Sequence, residues 1–93
     1  MPKFMSVHRA PGLLQETWVE NAQAIYKSTG AKFVQAYANL GTGFIFTIYE
    51  ADSAEALVEQ FEELGLPYEE MHEVQLSQSF DEMKGMLSQM GKI

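Results

Sequence analysis

AKFVQAYANLGTGFIFTIYE, residues 31–50, reads as two strands joined by a turn. The first, residues 31–38, is rich in aromatic and small side chains. Asn39 to Gly43 carries two glycines and closes a hairpin. The second strand, Phe44 to Glu50, is apolar on both faces, with Phe44, Phe46 and Ile48 on one and Ile45 and Tyr49 on the other. Such a strand belongs in the middle of a sheet with both faces covered.

The flanking segments have other periods. Lys3 to Arg9, KFMSVHR, alternates and predicts a strand that Pro11-Gly12 ends. Leu14, Trp18, Ala22 and Ile25 form one apolar stripe, which predicts a helix from about Leu14 to Ser28. A second helix starts at Asp52 or Ser53, buries Ala54, Leu57, Val58, Phe61 and Leu64, and stops at Gly65-Leu66-Pro67. Met71 to Ser77 predicts the fourth strand. Ser79 with Glu82 has capping-box spacing and opens a third helix with Phe80, Met83, Leu87 and Met90 on one face. The order β-α-β-β-α-β is the α+β, ferredoxin-like pattern, with an antiparallel sheet ordered 4-1-3-2 and two helices on one face. The expectation is one domain over residues 1–93: a βαββαβ core at 1–78 and a C-terminal helix at 79–93.

Composition narrows the function classes. The net charge is −7, with 13 acids against 6 Lys plus Arg. Phosphate backbones and anionic lipid surfaces both require cations, so neither nucleic acid nor membrane is an expected partner. The charge favours a cationic ligand such as a metal ion. With no cysteine there is no disulfide and no thiolate metal site. The start Met1-Pro2-Lys3-Phe4 lacks signal-peptide character, and a cytoplasmic location is expected.

Parity places Met5 and Val7 under the helices. It leaves Phe4, Ser6 and His8 on the open sheet face, with Phe33, Gln35 and Tyr37, with Ile45, Thr47 and Tyr49, and with Met71 and Glu73. So many aromatics on one exposed face make a patch that monomers seldom carry. A second copy packed open face to open face would cover it, forming a dimeric α/β barrel-like homodimer. A partly polar cavity between the sheets, lined by Phe4, Ser6, Phe33, Gln35, Tyr37, Thr47 and Tyr49, would then suit a small molecule or metal.

His8 and Glu73 are expected to approach one another on that face, because the first and fourth strands are adjacent and antiparallel. The pair offers general acid–base chemistry, or two metal ligands with His72 as a third; the plain alternative is that His8 serves only as a hydrogen-bonding group in a dimer interface. Ser6 is a poor nucleophile, since no elbow or oxyanion loop accompanies it. Gly41-Thr42-Gly43 is a turn and not a phosphate loop. Glu62, Glu63, Glu69 and Glu70 read as solvated surface, and Trp18 and the methionines as core.

The segments MPKFMSVHRAPGL, FTIYEADSAEAL and LGLPYEEMHEV together resemble a family of small bacterial and archaeal proteins known as a domain of unknown function, DUF4242, which includes nickel-binding, nickel-responsive members. The resemblance covers about residues 1–76 and implies a ferredoxin-like dimer. Its similarity at Val7-His8 and at His72-Glu73-Val74 implies His8, His72 and Glu73 as ligands. The leading expectation is a dimeric, non-enzymatic protein that binds Ni(II) or another divalent metal. The alternative is a small-molecule oxygenase or isomerase with His8 as base and an aromatic cavity on the open face. A third reading is an interaction module that uses the same face.

Overall fold

The computed structural model describes residues Met1–Ile93. Seven elements follow one another: β1 (Lys3–Arg9), α1 (Gln15–Lys27), β2 (Lys32–Asn39), β3 (Phe44–Glu50), α2 (Ala54–Leu64), β4 (Glu70–Glu73) and α3 (Phe80–Gln89). The hairpin forms as read, β2 against β3, with Lys32 opposite Glu50 and Asn39 opposite Phe44. Its turn depends on Gly43, which has φ +75° and whose N–H donates to Asn39 O at 2.8 Å. A Cβ there would run into the Ala10 carbonyl, so only glycine lets β1 leave the sheet beside this turn.

β3 also pairs with β1, and β1 with β4, all antiparallel, which gives the order β2-β3-β1-β4. This is the expected α+β, ferredoxin-like topology. β2 and β4 are the edges. β2 carries an irregularity between Phe33 and Gln35, and β4 has only four residues. β4 is shorter than the predicted 71–77 for a simple reason. The Val74 N–H donates to Lys3 O at 2.8 Å, and β1 begins at Lys3, so nothing remains to pair with.

α2 is anchored at both ends. The Ser53 hydroxyl accepts from Ala56 N–H at 3.1 Å, and Gly65 adopts the left-handed conformation that lets Leu66 N–H reach Phe61 O at 2.8 Å. Its Leu57 and Phe61 pack with Phe4, Tyr49, Ala31 and Ala51 to form the core, with Met71 at its margin. Tyr49 meets Phe61 edge to face, with ring centroids 5.3 Å apart.

This core reverses the expected faces. Phe4, Ser6, His8, Thr47 and Tyr49 lie under the helices, and Met5, Val7, Phe46 and Ile48 are half-buried on the open face. The residues expected together on one strand face do stay together; the face they occupy is the other one. β2 is split by its irregularity: Phe33 stands opposite Tyr49 on the helix side, whereas Gln35 and Tyr37 stand opposite Ile48 and Phe46 on the open side. Trp18 is only half-buried and none of the methionines is buried, so neither forms the core that the sequence predicts.

α1 and α3 are set apart. α1 has no buried residue and meets the core through Ile25. α3 has both arms of its Ser79–Glu82 capping box and no buried residue, and it leaves Phe80, Met83, Met86 and Met90 exposed. No helix is long and apolar enough to cross a membrane.

Candidate functional site

His8 sits near the end of β1, beneath α2, at 8% exposure, with its ring edge-on to Phe61 at 5.0 Å. The α2–β4 connection closes over it, and Nδ1 lies 2.9 Å from the Pro67 carbonyl oxygen. A carbonyl only accepts, so Nδ1 carries the proton and Nε2 is the lone-pair nitrogen. Two hydroxyls meet Nε2: Ser6 Oγ at 2.9 Å and Thr47 Oγ1 at 3.3 Å. The two hydroxyls also touch each other directly. Ser6 and Thr47 stand opposite one another on β1 and β3, so strand register alone builds this set. Burial pushes the His8 pKa below 6.5, partly offset by the Pro67 hydrogen bond. The imidazole is therefore neutral near pH 7. Burial also raises the Tyr49 phenol to about 12.

Above this set lies a cavity of about 620 Å³ between α1 and the sheet. Of the predicted pocket residues, Phe33, Thr47 and Tyr49 line it. Phe4 and Ser6 are packed beneath and do not reach it. Gln35 and Tyr37 are on the other face, Tyr37 at 64% exposure. Within one chain the cavity is on the helix side of the sheet. The α1 wall and Pro67 were not anticipated. The small Ala22 in the α1 stripe, between Trp18 and Ile25, was the signal for a helix that leaves room beneath it.

The predicted metal ligands separate. Glu73 stands opposite Phe4, not His8. His8 is four residues farther along β1, roughly 13 Å away at strand rise. His72 stands opposite Met5 on the open face, with the reverse orientation to Glu73. Its Nε2 lies 3.3 Å from Glu70 Oε1, both side chains 61% exposed. Two-residue spacing on a strand puts such a pair on one face, a pattern the EEMHE segment already contained. No group of three or more His, Cys, Asp or Glu side chains in one chain is arranged to hold a metal ion. One chain therefore supplies an imidazole–carboxylate pair and not a full coordination shell.

A model of the family described as nickel responsive protein SCO4226-like matches residues 4–74. The crystal structure of SCO4226 from Streptomyces coelicolor A3(2) is similar at a TM-score of 0.71 and 35% identity, over 81% of this chain and 98% of that one. No curated protein gives a significant match.

Proposed function

Because the chain belongs to the SCO4226-like family of nickel-responsive proteins, we propose that it binds divalent nickel as a homodimer, with His72 and Glu70 as the ligand pair from each subunit. The observation that carries this reading is the pair itself: an imidazole and a carboxylate, 3.3 Å apart and accessible. Imidazole and carboxylate oxygens are suitable donors for Ni(II), and the net charge of −7 draws cations. His8 is left out because both its ring nitrogens are occupied within the fold.

The pair needs partners. It lies on the same sheet face as Met5, Val7, Phe46 and Ile48, which α1 and α2 leave uncovered. A second copy against that face would cover these side chains and supply a second pair, for two nitrogens and two oxygens, with water completing the shell.

Titration calorimetry of Ni(II) into chelator-treated protein tests this. One ion per two chains is expected at micromolar affinity or tighter, about −8 kcal/mol. His72→Ala and Glu70→Ala each weaken binding at least about tenfold, the scale of a lost metal ligand or its close partner, and His8→Gln leaves it unchanged. A His72→Ala protein that binds as tightly as the parent removes the assignment.

A further inference from the structure

We propose that the cleft between α1 and the sheet is a binding site for an uncharged, largely aromatic organic molecule with one hydrogen-bond donor, which docks on Thr47. The site is separate from the nickel pair, which is on the opposite face of the sheet, and the proposal does not rest on that reading.

The cleft has the dimensions of a ligand site. Its volume of about 620 Å³ lies within the range that holds small molecules. Ile45, Thr47 and Tyr49 line its floor from alternate positions of β3, a length of roughly 13 Å. Trp18 and Ile25 form the roof and Phe33 one side. α1 lays its apolar stripe over this space without burying a single residue. Side chains bordering a void lose contact partners, which an apolar occupant would restore.

Charge excludes ions. No Asp or Glu lines the cleft, although the chain has 13. Arg9 and Lys32 border its two ends from strand positions that face the other side. Arg9 lies against the Phe44 ring at 5.6 Å and pairs with Glu69 at 3.1 Å, and Lys32 stands opposite Glu50. No charged side chain is aimed at the body of a bound molecule.

Counting hydrogens gives the polarity of the contact. The Nδ1–H of His8 is used by the Pro67 carbonyl. Nε2 has one lone pair and takes one hydroxyl hydrogen, and the second hydroxyl donates to the first. Every hydrogen of the set is spent internally. Thr47, the hydroxyl on the cleft wall, presents only lone pairs outward. It therefore selects a ligand N–H or O–H.

N-phenyl-1-naphthylamine is the probe: uncharged, aromatic, with a single N–H. Titrated into chelator-treated protein, it is expected to bind once per chain with a micromolar Kd and to quench Trp18, the only tryptophan, by energy transfer. Thr47→Val keeps the shape and removes the oxygen, and should weaken the probe about fivefold without changing binding of 1-phenylnaphthalene, which lacks the N–H. Ala36→Phe fills the cleft from β2 and should abolish both, with folding checked by circular dichroism and thermal melting. Absence of saturable binding, several molecules per chain, or full binding by Ala36→Phe each overturns the proposal. So does binding that fades as protein concentration rises, which would assign the cleft to a helix of a second copy.

Discussion

At the scale of single residues, the buried polar side chains carry most of the information. Ser6, His8 and Thr47 alternate with Met5, Val7, Phe46 and Ile48, and the sequence reading puts the first set on the sheet face away from the helices. The structure buries it, Ser6 to 1% exposure, because register lets the three satisfy one another and burial of paired polar groups costs little. The grouping of the site residues was legible in the strand period; which face they took depended on cross-strand hydrogen bonds that no single strand displays. This burial has a pH consequence. The folded His8 pKa lies below 6.5, so between that value and 6.5 the unfolded chain holds a proton that the folded chain does not. Stability contributed by neutral His8 is complete above 6.5 and is lost as pH falls through that window. Thermal melting from pH 7.5 down to 5 should show a steeper decline for the parent than for His8→Phe; parallel curves would refute the linkage. Gln60 is a second buried polar residue, at 4% exposure, with Oε1 accepting from Ala31 N–H and Nε2 donating to Ala31 O at 3.5 Å. It clamps α2 to the chain entering β2. Gln60→Leu leaves a buried N–H without an acceptor and should cost about 1–3 kcal/mol, read as a lower urea midpoint at unchanged slope. An unchanged midpoint would show that water replaces the clamp.

Among the elements, the helices differ in how they are held. α2 has a cap at each end and two fully packed side chains, all marked in the sequence by Ser53, Gly65 and the Leu57–Phe61 spacing. α1 begins at Leu14 without a side-chain cap, and its apolar stripe looked like that of a packed helix. The stripe carried one mark of the difference, the small Ala22, which lines the cavity between α1 and the sheet. α3 has the best-formed cap of the three, yet buries none of its residues. A ten-residue helix alone in water is marginal, because nucleation is costly and tertiary packing supplies most helical stability. In dilute monomeric protein the α3 amides should exchange within about tenfold of unstructured rates, while the β1 and β3 amides are protected to the level of global unfolding. Strong protection of α3 in a monomer would mean that the stripe of Phe80, Met83 and Met90 has a partner within the chain.

For the molecule as a whole, topology was the most legible feature. Strand order and antiparallel pairing follow from seven periodic segments and the handedness of their crossovers. Overall dimensions were not. The Cα radius of gyration is 15.8 Å, against about 12 Å for a compact chain of this length, and the longest extent is 48 Å. The excess accompanies an α3 that does not fold back. The sheet carries a further consequence at its rims. β2 is irregular at Val34, and β4 offers only four residues before its partner ends. An irregular rim and a very short one are both poor templates for an incoming strand. Edge-to-edge addition of further strands, the usual hazard of a small chain with apolar strands, is therefore disfavoured at both rims.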